Sequence, residues 1–529
     1  VPNAPTREGS GWARYASIAG YVALAVAWSW PLALAPHRST VSLHFDQLPA
    51  AWLVHAAPSF MDGVSELSAW PDGEPLARLD SFLFLALSMV LHGLLPGLLV
   101  TNLFVLLGPV ASAWGAEKFA REALGVSRLA GWIAGVSFGF APLATVAALE
   151  GHCYYLLDPW MPLCALAVWQ GRWKAATVHY ALALLTTAYL GVDTLLVAGV
   201  ILVHQRRWDL RMLAGLGGVS LLYAALFVAG TLATGRTAGG ESFEALLRVG
   251  SASLATLVTW TPWMDLNRHS LAPVLGLLPL CFSLLAPFVP RIGWRPWLPL
   301  GVLAGLGALG PVIEAGVARE GGIPSLLWPL LSLGVFAVYR FPVRLAWISA
   351  LALGGLAARV TDAMGRRARR VAVLLVIVDV LFVSGAWQRL RGHPMPTPSL
   401  YGLLPEGAVL ELYPRLGGLQ EDLAFYNQNL SCYYQLFHGR PILDRCLNTD
   451  IRTSPRLEAS DRVTALAFAG EELVPELFRL RVASVVMHAD LYQPAERSEL
   501  RSALSRSLGD PLEGHDGGEW LYGWALEDR

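Results

Sequence analysis

Residues 21–35 read YVALAVAWSWPLALA, and residues 271–290 read LAPVLGLLPLCFSLLAPFVP. Neither run contains a charged side chain. A helix crossing the hydrocarbon core of a bilayer needs roughly 20 predominantly apolar residues. Working outward from these two runs, the same pattern recurs along most of the chain. Of its 529 residues, 54% are hydrophobic and 15% are charged. A soluble domain carries about 25% charged residues, so this chain has too little charge to clothe a water-soluble body of its size. Most of its surface must meet lipid.

The apolar runs predict a mainly α fold, a polytopic bundle of about eleven spans. They lie roughly at 15–35, 96–116, 129–149, 153–171, 175–189, 193–204, 212–232, 271–290, 296–314, 344–361 and 371–387. Short loops rich in Lys and Arg stay on the cytoplasmic side. The basic positions Arg7 and Arg14, Lys118 to Arg128, Arg172 and Lys174, Arg206 to Arg211, Arg291 and Arg295, and Arg366 to Arg370 all fall on one side if the N-terminus is cytoplasmic. An odd number of spans then puts the C-terminus outside. The opposite loops are acidic or neutral, and the first of them, about 36–80, carries Asp46, Asp62, Glu66, Asp72, Glu74 and Asp80. The apolar stretch Ser81 to Leu94 is short for a span and reads as a juxtamembrane helix. Between the short fifth and sixth spans stand Gly191 and Asp193, which fit either two half-helices lining a cavity or a tight hairpin. The first apolar run lacks a small-residue cleavage site and reads as a retained helix rather than a signal peptide.

Beyond Trp387 the composition changes, with 20 Asp and Glu against 14 Arg. Charge is thus segregated along the chain, the net value of −1 is uninformative by itself, and no nucleic-acid partner is expected. Ala408 to Tyr413, Val482 to His488 and Trp520 to Leu526 read as strands. Pro494 to Leu508 reads as a helix opened by Pro and acidic residues. The expected organisation is a membrane domain over 1–388 and a small extracytoplasmic α/β domain over 389–529. Cys432 and Cys446 fall in the latter, where a disulfide is permitted; two free thiols are the alternative. Cys153, Cys164 and Cys281 read as small packing residues. Lysine occurs only at Lys118 and Lys174, which we read as codon bias.

Motifs narrow the chemistry. Gly135-Val136-Ser137-Phe138-Gly139 matches GxSxG, but inside an apolar span rather than at a strand-to-helix turn. With Gly131 it forms GxxxGxxxG, the spacing that lets membrane helices approach closely. No P-loop, HExxH, paired CxxC or Rossmann fingerprint is present, so an ATP-driven pump or a zinc protease is unsupported. Three places invite chemistry. Asp46, in Leu43-His44-Phe45-Asp46-Gln47, is a carboxylate just above the first span. It is either a base in a partly dry site or a solvated loop residue. Arg340 and Arg344, in Tyr339-Arg340-Phe341-Pro342-Val343-Arg344, lie on the side opposite the basic clusters. Paired guanidiniums suit a phosphate, and snorkelling toward headgroups is the plainer reading. Glu150-Gly151-His152, followed by Tyr154, Tyr155 and Asp158, offers a His for positioning or proton transfer, or else an interfacial aromatic belt.

In this order, the pieces resemble the GT-C superfamily of membrane glycosyltransferases, and more closely the bacterial proteins grouped as YfhO-like or GT-C-like. Four stretches carry the resemblance. They are the first span and outer loop with Asp46 and Trp70-Pro71-Asp72-Gly73-Glu74-Pro75-Leu76; Asn102 to Leu124; Phe138-Gly139-Phe140-Ala141-Pro142 through Gly151-His152 to Pro162-Leu163; and Leu306-Gly307-Ala308-Leu309-Gly310-Pro311 through Arg344. Tyr433, Tyr434 and His438-Gly439-Arg440-Pro441-Ile442 also look like the family's outer domain. The resemblance implies a multi-pass protein of a bacterial inner membrane. It would transfer a sugar from a polyprenyl-phosphate donor to a glycan, lipid or protein acceptor, by inversion. Asp46 matches the family's base, with Asp62 as fallback because the usual paired acids are absent. Arg340, Arg344 and His152 would hold the donor phosphate, and His44, Tyr155, His438 and Arg440 are further candidate contacts. A divalent metal assists some members; no ligand cluster stands out here. The competing expectations are a non-catalytic lipid-binding or flippase-like protein and, last, a secondary transporter, for which no inverted repeat is visible.

Overall fold

The computed structural model describes residues 11–41, 47–62, 64–65, 74–75, 81–233, 276–290, 292–309, 312–313, 323–324, 342–383, 390, 393–395, 399–414, 431–436, 438–443, 446, 455–516 and 519–526. Among the described residues, helices α1 (Gly11–Trp28), α2 (Gln47–Ala56), α3 (Phe82–Leu91), α4 (Gly97–Ala123), α5 (Arg128–Gly139), α6 (Pro142–Leu149), α7 (Trp160–Trp169), α8 (Trp173–Thr186), α9 (Ala188–Gln205) and α10 (Leu210–Ala233) build the first half. Helices Leu277–Leu284, Trp297–Ala308, Ala346–Asp362 and Arg366–Val378 complete the apolar bundle. Every apolar run read from the sequence overlaps at least one of these helices, and α3 lies within Ser81 to Leu94. Among the described residues, four helical segments are long and apolar enough to cross a membrane: Gly97–Ala123, Arg128–Leu149, Ala188–Gln205 and Val343–Asp362.

The glycine series on α5 is a close-packing seam. A methyl group at Gly135 would lie 2.7 Å from the Ala113 carbonyl oxygen, and one at Gly139 would lie 2.6 Å from the Ala113 amide nitrogen. Only glycine allows α5 to approach α4 this nearly. The break between the fifth and sixth spans is not where the sequence suggested. Gly191 and Asp193 lie inside α9, and the chain turns at Thr187, whose hydroxyl accepts the Leu190 N–H at 3.2 Å. Thr187 therefore caps α9, while Gly191 packs on Leu184.

Loops assigned to one side of the membrane by charge meet one another. Arg369 bonds Ser127 at 2.7 Å and pairs with Asp362 at 3.1 Å. Arg359 donates to the Gly293 carbonyl at 3.2 Å, and Gln205 donates to the Trp169 carbonyl at 3.1 Å. At the other end the first loop is folded. Its helix α2 is almost wholly buried. Gln47 at its start accepts from Thr40 at 2.6 Å and donates to Asn102 of α4 at 2.7 Å. Asn102 in turn donates to the Ser39 carbonyl at 2.7 Å.

Short strands pair as β1 (Ser39–Thr40) with β6 (His393–Pro394), β2 (Val64–Ser65) with β3 (Glu74–Pro75), and β4 (Val312–Ile313) with β5 (Ile323–Pro324), all antiparallel. The C-terminal part carries a four-stranded sheet of β7 (Ala408–Leu412), β8 (Val482–His488), β9 (Leu512–Asp516) and β10 (Glu519–Ala525), in the order β7-β8-β10-β9. Strands β7 and β8 are parallel, and the other pairs are antiparallel. The helix Pro494–Leu508 starts on its Pro, carries Glu496 in its first turn and Arg506 in its last, and stops at Gly509 with φ 89°. That arrangement suits the helix dipole at both ends. Leu410, Val463, Leu477, Val485, Leu500 and Trp524 form the core between sheet and helices. A separate core joins Leu48 and Ala51 of α2, Leu98 of α4, and Tyr401, Val409, Tyr434 and Leu521, so the C-terminal part sits directly on the first loop.

Candidate functional site

Three elements converge on one cation. After α6, Gly151 adopts φ 77°, a left-handed turn that favours glycine, and the chain reverses into the 3-10 turn Cys153–Leu156. This presents His152, Tyr154 and Tyr155 side by side. The Thr187 cap starts α9 so that Tyr189 lies in its first turn. The 3-10 turn Pro342–Leu345 delivers Arg344 at the head of the helix Ala346–Asp362. The Arg344 guanidinium lies 4.5 Å from the Tyr155 ring centre and 4.0 Å from that of Tyr189. His152 stands edge-on to Tyr155, with centroids 5.4 Å apart, and its Nδ1 donates to the Glu150 carboxylate at 3.2 Å. Glu150 and Arg344 also feel one another's charge.

This arrangement has definite chemistry. Two aromatic faces hold a flat guanidinium by cation–π attraction, which fixes the plane of its donor fork. A fixed fork suits the oxygens of a phosphate or carboxylate. The Glu150 contact orients the His152 ring and leaves its Nε2 directed elsewhere. The site packs toward α3 and α4. Tyr154 lies 6.0 Å from Phe84 of α3, and Phe84 lies 5.0 Å from Phe104, two residues beyond Asn102. Among the described residues, no three His, Cys, Asp or Glu side chains gather where they could hold a metal ion.

Of the residues singled out from the sequence, His152, Tyr155 and Arg344 are thus brought together. His44, Asp46 and Arg340 lie outside the described residues, and Asp62 ends the 3-10 helix Ala57–Asp62. His438 and Arg440 stand elsewhere, at the junction of the C-terminal sheet with α2. His438 stacks on Tyr401 at 4.6 Å, and its Nδ1 accepts the Arg440 N–H at 3.0 Å. Burial pushes the His438 imidazole down to about 4, so it is neutral there. Nearby, Glu411 accepts from Tyr401 and Tyr413, each at 2.7 Å. Burial disfavours its charge, but hydrogen bonds and the charge of His488 outweigh this and hold its pKa at about 2. Cys432 and Cys446 form a disulfide. The sequence reading missed Tyr189. A tyrosine at the start of an apolar run reads as belt or packing, and only the Thr187 cap could have marked it as the first turn of a helix.

No protein-family model matches the sequence, and no curated protein matches it. Solved structures do. Arabinofuranosyltransferase AftD from Mycobacteria superposes with a TM-score of 0.54 at 17% identity, covering 99% of this chain. The chain has a GT-C fold. It spans 42% of the length of AftD. The Archaeoglobus fulgidus oligosaccharyltransferase in its apo form matches at TM-score 0.49 and 11% identity, covering 98% of this chain and 75% of its own. ArnT from Cupriavidus metallidurans, bound to undecaprenyl phosphate, matches at 0.49 and 14%, covering 98% of each chain. Within the GT-C fold, the Arg344 cluster occupies the end of the bundle that carries the first loop.

Proposed function

We propose that this chain is an integral membrane glycosyltransferase that moves a sugar from a polyprenyl-phosphate carrier to an extracytoplasmic acceptor. The observation that carries the reading is the clamped guanidinium: Arg344 between Tyr155 and Tyr189, beside the Glu150–His152 pair, at the end of apolar helices. A cation held so rigidly at a membrane boundary suits the phosphate of a lipid carrier. The GT-C fold supports the same reading.

The reaction is a single inverting displacement. Asp46, or Asp62 in its place, takes the proton of an acceptor hydroxyl. The resulting oxygen attacks the anomeric carbon from the face opposite the phosphate, forming the new glycosidic bond as the bond to the phosphate oxygen breaks. The departing polyprenyl phosphate carries the electron pair, and Arg344 with Arg340 neutralises the charge that builds on it. His152 touches the sugar or the phosphate. In the proposed topology eleven spans within 1–388 leave the N-terminus in the cytoplasm and the unit 389–529 outside a bacterial inner membrane. The pairing of β1 with β6 supports a common side for first loop and C-terminal unit. The disulfide suits an oxidising compartment.

The test is transfer from a labelled polyprenyl-phosphate sugar by the full chain in lipid nanodiscs. Asp46→Ala and Arg344→Ala are each expected to lose at least a hundredfold. Full activity in both would refute the assignment, and co-purified polyprenyl phosphate without turnover would make this a lipid-binding protein instead.

A further inference from the structure

The segment from Ser431 to Cys446 belongs to the C-terminal part, yet its side chains grip the first loop. Trp52 of α2 donates its indole N–H to the Gln435 side-chain oxygen, across 383 positions of sequence. Both residues are fully buried. Gln435 is itself fixed from behind: its amide donates to the Arg440 carbonyl at 2.9 Å, and its own carbonyl accepts the Gly439 N–H at 2.8 Å. Arg440 continues the chain of contacts to the Leu404 carbonyl at 2.5 Å. Tyr434, the preceding residue, stacks on His488 of β8 at 5.4 Å. The disulfide from Cys432 to Cys446 ties the two ends of this strap together. The strap is therefore anchored to the sheet on one side and presents a pre-set oxygen to α2 on the other.

The first turn of α2 is held by Gln47, through Thr40, Val41 and Asn102. So α2 is pinned at its first turn by α4 and at its middle by the strap. Both pins use buried side-chain amides, which are costly to leave without their hydrogen bonds. Their geometry is thus enforced.

We infer that the disulfide-closed strap 431–446 is a positioning element, and that Gln435, through Trp52, sets where the first-loop helix lies relative to the membrane site. This rests on the transferase reading for its consequence, because α2 begins one residue after Asp46, but not for the mechanical coupling itself. The C-terminal part then completes the site rather than merely following it. Gln435 touches no reacting group and acts through α2.

The experiment measures hydrogen–deuterium exchange of the full chain in nanodiscs over peptides spanning 47–56, with 160–169 as control, alongside donor kinetics. Gln435→Ala and Trp52→Phe each remove the same hydrogen bond and should speed exchange in 47–56 roughly tenfold, leaving 160–169 unchanged. The double variant should lose little beyond Gln435→Ala alone, which already gives up the Trp52 bond together with the Arg440 contact. Trp52→Phe leaves Gln435 and its contact with the Arg440 carbonyl in place, so it tests the coupling even if Gln435→Ala expresses poorly. In transfer assays kcat should fall roughly tenfold in the Ala variant, with KM for the polyprenyl-phosphate sugar within twofold. Unchanged exchange in 47–56 overturns the coupling. Faster exchange with unchanged kcat overturns the positioning role while leaving the transferase reading intact. A wild-type chain without transfer activity sinks that reading alone, and the exchange result still decides the coupling.

Discussion

Arg344→Lys isolates what the tyrosine clamp contributes beyond charge. Lysine keeps the positive charge but loses the flat, forked guanidinium. In the structure that plane rests 4.5 Å from Tyr155 and 4.0 Å from Tyr189. Each cation–π contact at a half-buried position is worth about 1 kcal/mol. A point charge also forfeits one of two charged hydrogen bonds to a phosphate, about 1.5–3 kcal/mol. Partial retention of both by the ammonium leaves a net loss of about 2–4 kcal/mol, or roughly 30- to 1,000-fold in kcat/KM. Tyr189→Leu removes one face only and should cost about 1 kcal/mol, roughly fivefold. Because both changes act on one clamp, the double variant should lose less than the product of the two. The assay is kcat/KM for a labelled polyprenyl-phosphate sugar in nanodiscs. Wild-type kcat/KM in Arg344→Lys, or strictly multiplicative losses in the double variant, would refute the clamp argument.

Replacing Cys432 and Cys446 by Ser should lower the stability of the C-terminal part by about 3 kcal/mol, the chain-entropy value for a loop of this length, read as a lower melting temperature in the absence of reductant. Gly139→Val should destabilise the α4–α5 seam by about 1–3 kcal/mol through overpacking, read by thermal unfolding in detergent, whereas the same change at the open position Gly217 should be far milder. His438 binds its proton less readily folded than unfolded, since burial pushes it down to about 4. Its contribution to stability is therefore complete above its ordinary value near 6.5 and is lost as pH falls toward 4. A melting-temperature profile should decline across that window, and His438→Phe should flatten it.

The bundle was legible because lipid enforces one rule everywhere: a spanning backbone must satisfy itself, so long apolar runs become helices. A short apolar run located α3, Pro and acidic residues marked the start of the helix Pro494–Leu508, and strand patterning placed β7, β8 and β10 to within a residue at each end. Gly191 misled, because a glycine in an apolar run looks like a breaker. Here it serves close packing, and the true break is a threonine cap that looks ordinary in sequence. The candidate site was legible in part. Arg344 stood out for its side of the membrane, His152 and Tyr155 for their company. Tyr189 and the Trp52–Gln435 bond were not, because nothing local marks a partner hundreds of residues away. Such pairings come from how the faces of the bundle close, which composition does not encode.

The two-residue ladder of β1 with β6 bears on how this protein can be shortened. It stitches the strand just past the first helix to the strand entering the last unit, with Met395 reaching back to the Arg38 carbonyl at 2.9 Å. A chain ended after the final apolar helix would therefore not be the same membrane bundle with an appendage removed. It would leave the Arg38 carbonyl without its Met395 partner and bare an oily flank on α2, and the expected product is a misassembled protein cleared by cellular quality control.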